Sequence, residues 1–261
     1  MSAPAAPLIA FREVDLAFGP HLVLGKVTFE IRRGETVCIV GPSGSGKTTA
    51  LRVAAGLIPP TRGVVAFDGG PMKGPRRDVA VVFQDYAKAL LPWRTAAANV
   101  SLALEAAKTP RRAREARIAE LLDKVGLHGQ AHKFPGQMSG GMQQRLQIAR
   151  CLAQDPAALL MDEPFGALDA MTRQGLQDEM LAIAAASGAT ILFVTHDLEE
   201  AIYLGDRVIG LAPHPGRIGV EFEITLPRPR DQVATRESAE FLRLRRALYD
   251  FIHSAEAGSA P

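Results

Sequence analysis

Sulfur and the polar aromatics are scarce in this sequence. Two cysteines, Cys38 and Cys151, one tryptophan and three tyrosines stand among 261 residues. The cysteines lie far apart in apolar surroundings, without the spacing of a metal site. The expectation is a reduced, cytosolic chain holding two packed thiols. Excess charge is missing too: 30 basic against 28 acidic residues leave a net charge of +2. A balance this close gives no general argument for nucleic acid or an anionic membrane as partner. No uncharged apolar run approaches the roughly 20 residues needed to span a bilayer. Met1–Pro7 is rich in Ala and Pro and lacks the charged-then-apolar layout of a signal peptide. If the protein serves a membrane, it is expected to do so from the surface and through a partner. What remains is an ordinary globular balance, 47% hydrophobic and 22% charged, in a length that suits one large α/β domain or a core with a small subdomain.

The first stretch reads as β: Leu8–Phe18 alternates loosely, Leu22–Ile31 follows, and Gly63–Gly69 lies between turn signals. A second set is shorter and continuously apolar: Thr36–Val40, Val79–Phe83, Ala157–Met161, Ile191–Val194 and Val208–Leu211. Such runs suit strands of a parallel sheet buried on both faces by helices. From Ala96 to Gln154 there is no convincing strand, and Ile118, Leu121, Leu122 and Val125 follow the spacing of a one-sided helix. Arg111, Arg112, Arg114 and Arg117 crowd its start, but Glu115 and Glu120 are interspersed, so a solvated face is expected. The tail carries a short strand, Val220–Leu226, and a helix around Glu237–His253 with Phe241, Leu244, Leu248 and Phe251 on one side. The expected organisation is a core over 8–87 and 156–215 that includes the antiparallel β subdomain, a helical subdomain over 88–155, and a tail over 216–261.

One loop carries specific chemistry. Gly41, Pro42, Ser43, Gly44, Ser45, Gly46, Lys47, Thr48 and Thr49 satisfy G-x-x-x-x-G-K-[ST] between an apolar strand and a helix read as Thr48–Ala55. Glycines let the backbone wrap a phosphate so that successive N–H groups point inward, and the helix N-terminus adds positive character. Lys47 supplies a full charge at the β- and γ-phosphates, and the Thr48 hydroxyl is suited to Mg²⁺. The apolar strand Leu159–Met161 ends in Asp162, placed to hold Mg²⁺, and Glu163, placed to orient or deprotonate an attacking water. A strand tip ending in acids is moderate evidence by itself and strong evidence downstream of a phosphate loop.

Three further elements follow in order with these: Met138-Ser139-Gly140-Gly141-Met142, then Phe165-Gly166-Ala167-Leu168-Asp169, then Val194-Thr195-His196-Asp197. With Gln84 after the strand Val79–Phe83, the chain resembles the ATP-binding subunits of ABC transporters over nearly its whole length. The resemblance implies the ABC ATPase fold of P-loop NTPases, a mainly parallel sheet with an N-terminal antiparallel β subdomain and an inserted helical subdomain. It implies ATP as substrate and Mg²⁺ as cofactor. By the same resemblance Phe18 stacks on adenine, a core position being the alternative reading, and Gln84 contacts Mg²⁺ and the attacking water. Ser139, Gly140 and Gly141 open a helix read as Met142–Gln154 and grip the γ-phosphate of ATP bound to a second copy. Asp169 bridges the two copies and His196 touches the γ-phosphate. Met138 and Met142 depart from the usual leucine and glutamine, while the Ser-Gly-Gly core is intact.

The stretch Leu90-Leu91-Pro92-Trp93 with Asn99-Val100, and the tail Leu226-Pro227-Arg228-Pro229-Arg230, resemble importers for nitrate, sulfonates and taurine. Trp93 has two readings, an anchor for the helical subdomain or a lining of the groove that receives a permease. The resemblance implies a head-to-tail dimer with two ATP molecules sandwiched, integral-membrane permease subunits, and indirectly a solute-binding protein. No nucleic acid is expected, and the place is the cytoplasmic face of the inner membrane, as a peripheral subunit. An exporter or lipid-trafficking ATPase shares every catalytic motif and stays open. So does a soluble ABC ATPase, against which the lack of a second ATPase domain or long coiled coil argues.

Overall fold

The computed structural model describes residues 6–166 and 168–257; Ala167 of the Phe165–Asp169 motif and the side chains of Tyr86 and Ala87 lie outside the described residues. In chain order the elements are β1 (Pro7–Phe18), β2 (His21–Arg32), β3 (Thr36–Val40), α1 (Lys47–Ala54), β4 (Arg62–Phe67), β5 (Gly70–Pro71), β6 (Val79–Val82) and α2 (Tyr86–Ala89). They continue with α3 (Ala96–Ala106), α4 (Arg111–Lys124), α5 (Gly140–Leu152), β7 (Ala158–Asp162), α6 (Ala170–Ser187), β8 (Thr190–Val194), α7 (Leu198–Leu204), β9 (Arg207–Ala212), β10 (Arg217–Glu223), α8 (Ala234–Glu237) and α9 (Ala239–Ala257). The chain forms two compact units, one from Met1–Arg76 with Gly188–Pro261 and one from Arg77–Ser187.

In the first unit β1 pairs antiparallel with both β2 and β4. The alternation in β2 is the one-sided burial that a sheet with one wet face requires, and the Phe11 and Phe29 rings stack across the ladder with centroids 4.5 Å apart. β3 is buried along its whole length and pairs in parallel with β8 on one side and β9 on the other. This is why its sequence shows no alternation. β10 adds antiparallel to β9 from Ala212↔Arg217 to Arg207↔Glu223. The apolar alternation of Ile224 and Leu226 continues past that point without a ladder, so the strand starts and stops earlier than the sequence pattern implies. Both residues are buried all the same. On α9, Phe241, Leu244 and Leu248 are fully buried. A Cβ on Gly210 or Gly219 would come within 2.5 or 2.4 Å of the Phe251 ring. The tail is therefore packed into this unit rather than appended to it.

In the second unit β6 and β7 pair in parallel, and α2 to α5 lie between them in sequence. The fold class read from the sequence is the observed one. On α4, Leu121 and Leu122 are buried and Val125 follows them into the core. The charged start is a solvated face, with Glu120 paired to Arg117 and Lys124 at 2.7 Å each. Both cysteines are free and buried. Burial raises both thiols, Cys151 to about 12, so each is a neutral packing group.

Candidate functional site

The phosphate loop leaves β3 at Val40 and enters α1 at Lys47. Its shape needs glycine. Gly46 caps α1 at φ +86°, where a Cβ would lie 2.7 Å from Leu24 Cδ2, and a Cβ on Gly41 would lie 2.5 Å from the Leu211 carbonyl oxygen. Lys47 is 8% exposed, and its Nζ donates to the carbonyls of Gly41 at 2.8 Å and Pro42 at 2.9 Å, inside the curl of the loop. Ser45 Oγ is buried with no hydrogen-bond partner. A lysine ammonium inside a glycine-shaped loop at a helix N-terminus suits an anion of phosphate size. Phe18 closes the β1–β2 hairpin opposite His21 and is 54% exposed, so its ring is available for stacking and is not a core side chain.

β8 lies beside β3 in the same direction, with Ile39 opposite Val194, so His196 leaves the sheet at the same end as the phosphate loop. That end, outside the carboxyl termini of parallel strands, is where α/β sheets bind ligands. Around His196 the backbone is fixed from both sides. Buried Thr195 Oγ1 donates to Glu200 Oε2 at 2.7 Å and accepts from Asp197 N–H at 3.0 Å. Asp197 caps α7, its Oδ1 accepting from the N–H groups of Glu199 and Glu200. The sequence signal for this cap, an aspartate followed three residues later by a glutamate, was present, but the turn of Glu200 back to Thr195 was not visible in it. His196 itself is exposed.

In the second unit the parallel β6–β7 pair sets Val82 opposite Met161, which brings Gln84 and the Asp162–Glu163 tip to one end. Asp162 is 5% exposed. Glu163 sits at φ 45°, in the left-handed region that favours glycine, and accepts from Gln84 Nε2 at 3.1 Å. The strain lies in the backbone, and the carboxylate is held by the glutamine amide. Ser139 is the N-cap of α5, its Oγ accepting from Met142 N–H at 3.3 Å. Gly141 is buried so closely that a Cβ would meet Thr172 Cγ2 at 2.6 Å. The exposed Asp169 accepts from Thr172 N–H at 3.1 Å, and hydrogen bonds from Thr172 hold its carboxyl below the usual range.

Thr48, Gln84 and Asp162 offer hydroxyl, amide and carboxylate oxygens, the hard donors that Mg²⁺ prefers. Among the described residues no cluster of three or more His, Cys, Asp or Glu could hold a metal ion. Trp93, 72% exposed, is no anchor. The loop that carries it is nonetheless fixed: buried Asn99 accepts from Leu91 N–H and donates to the carbonyls of Leu91, Arg94 and Thr95 at 3.0 to 3.1 Å.

Comparison with known proteins gives the family. The chain is 44% identical over 97% of its length to an aliphatic sulfonates import ATP-binding protein of Burkholderia cenocepacia, covering 92% of that protein. It is 42% identical to a nitrate import ATP-binding protein of Synechococcus elongatus, covering 90% of this chain and 86% of that one. Among solved structures, a dimeric bacterial ABC transporter cassette superposes with a TM-score of 0.74 at 34% identity over 83% of this chain and 98% of that one. A dimeric post-hydrolysis cassette bound to ADP and Pi gives 0.73 at 33%, with the same coverage. The ABC transporter family model matches residues 24–166, and the chain belongs to that family.

Proposed function

We propose that this chain is the ATP-hydrolysing subunit of an importer for a small anion such as a sulfonate, taurine or nitrate. The observation that carries the reading is the complete phosphate loop in a chain whose relatives over nearly its whole length are named as import ATP-binding proteins. No helix among the described residues is long and apolar enough to cross a membrane. The subunit is accordingly proposed to act peripherally, at the cytoplasmic face of the inner membrane, on permease subunits that receive solute from a binding protein. An exporter, a lipid-trafficking ATPase or a soluble ATPase draws no support from these relatives.

Each site residue has a role in this reading. The amides of Gly41–Thr49 and the Lys47 ammonium bind the phosphates, and Phe18 stacks on the adenine. Thr48, Asp162 and Gln84 hold Mg²⁺, which when bound neutralises charge on the β- and γ-phosphates. Glu163, oriented by Gln84, takes a proton from the attacking water, and His196 contacts the γ-phosphate. The second copy supplies Ser139, Gly140 and Gly141 at a helix N-terminus, and Asp169 bridges the copies. The segment 88–155 is the helical arm, with 8–87 and 156–215 as core and 216–261 as tail. Phe83, 41% exposed, and Trp93, on its fixed loop, offer the permease an apolar surface beside Gln84 in sequence.

The test is purification of the tagged chain from its native membrane in mild detergent. A polytopic permease recovered in near-equal amount is the expected result. Recovery of soluble proteins, ribosomes or DNA alone would overturn the importer reading and leave the ATPase.

A further inference from the structure

The residues after β10 return to one element. Arg228 pairs with Asp206 at 2.5 Å, just beyond the C-terminus of α7. Arg230 Nη1 donates to the carbonyls of Tyr203 at 2.6 Å and Ile202 at 3.4 Å in the last turn of that helix, whose carbonyls have no partners within it. At the other end Glu199, in the first turn, is held on both oxygens: Oε2 by Arg236 at 2.8 Å and Oε1 by Arg245 at 3.0 Å. Arg236 is ordered further by lying over the rings of Tyr203 at 5.0 Å and Phe241 at 5.9 Å.

α7 has seven residues, and a helix so short has no stability of its own in water. Buried Ala201, Ile202, Tyr203 and Leu204 pack it onto the core, the groups above hold its ends, and His196 stands immediately before its cap, Asp197. His196 opens on a cavity of about 700 Å³ bounded by Asp197, Leu198 and Glu199 on the α7 side and by Leu242, Arg245 and Tyr249 of α9 on the other. A half-exposed ion pair alone is worth little. Here one carboxylate receives two guanidiniums, one of them already fixed by aromatic stacking, so less side-chain freedom is lost per bond.

We infer that Arg236 and Arg245 are positioning residues for His196, acting through Glu199 and α7, so that the tail sets the geometry of the γ-phosphate contact. The inference rests on the reading of His196 given above. It places a catalytic requirement in a segment that contains none of the family's motifs.

The test is steady-state ATPase kinetics of the full-length chain, at concentrations that populate the dimer, for Glu199→Gln, the double variant Arg236→Ala/Arg245→Ala, the double variant Arg236→Lys/Arg245→Lys, and His196→Ala. A misplaced catalytic group costs rate, not ground-state binding. Glu199→Gln and the alanine double variant should lose about 10- to 100-fold in kcat, with KM for ATP changed less than about twofold. The lysine pair, which keeps the charges, should recover part of the loss. If His196→Ala loses turnover while Glu199→Gln and the alanine pair keep theirs, the positioning role is overturned and the histidine reading stands. If His196→Ala keeps its kcat, both fall. A rise in KM that accounts for the whole loss also overturns the proposal. Should the alanine pair fail to fold, Glu199→Gln, which is isosteric, decides the matter.

Discussion

In the proposed mechanism hydrolysis turns on Glu163, and its surroundings say what replacing it would do. Its backbone lies at φ 45° and its carboxylate accepts from Gln84 at 3.1 Å. Glu163→Gln keeps the shape and an amide oxygen that can still accept from Gln84, and it removes only the capacity to take a proton. Steady-state turnover should fall by about 100-fold or more, while equilibrium nucleotide binding stays near wild type; rapid turnover in this variant would end the assignment of Glu163 as base. The loop Gly41–Thr49 and the acid pair could be read from sequence because each packs its chemistry into a few consecutive residues. The Gln84–Glu163 bond joins residues 79 apart, and the strain at Glu163 is a backbone property that its side chain does not announce. The same distance in sequence hides the arginines on Glu199, which come from 37 and 46 residues further on.

At the scale of elements, type and order were legible and edges were not. β3, β7 and β8 are short apolar runs because both faces are covered, and nothing competes with that reading. β10 was shifted because burial and pairing part company there: Ile224 and Leu226 stay buried after the ladder to β9 has ended at Glu223. α9 shows what periodicity can and cannot say. It places Phe251 on the inner side of the helix, but not against what. The ring meets Gly210 on β9 and Gly219 on β10, two positions where only a missing side chain lets the helix approach. Gly210→Val would drive a side chain into the Phe251 ring and Val220, both within 2.6 Å of the new Cβ. Overpacking of this kind should cost about 1–3 kcal/mol, seen as a drop of several degrees in thermal unfolding. An unchanged midpoint would mean that α9 shifts without loss and that its packing on the strands is not fixed by these glycines.

At the scale of the whole molecule, the proposed sites belong to no single chain. The phosphate loop of one copy would face Ser139–Gly141 of the other, and the solved cassettes most usefully compared with this chain are dimers. A head-to-tail sandwich makes a prediction that a self-contained ATPase does not. Lys47→Ala disables a phosphate loop; Ser139→Arg, at an exposed N-cap, obstructs a phosphate-facing helix end without filling the core. Either change, made in a Glu163→Gln chain so that ATP is held rather than consumed, spoils both sites of its own homodimer. Mixed, the two variants form a heterodimer in which both defects fall in one site, and the other pairs an intact loop with an intact signature. Each variant alone should therefore stay monomeric with MgATP in size-exclusion chromatography, and the mixture should give a dimer holding one nucleotide. Placing both changes in the same chain and mixing it with a size-tagged parent Glu163→Gln chain should give only the parent's own homodimer, holding two nucleotides, and no heterodimer, because each heterodimer site then carries one defect. If mixing gives no heterodimer in the first case, or gives it equally in both, the signature does not serve the partner's nucleotide, and Ser139 to Gly141 must act within their own chain.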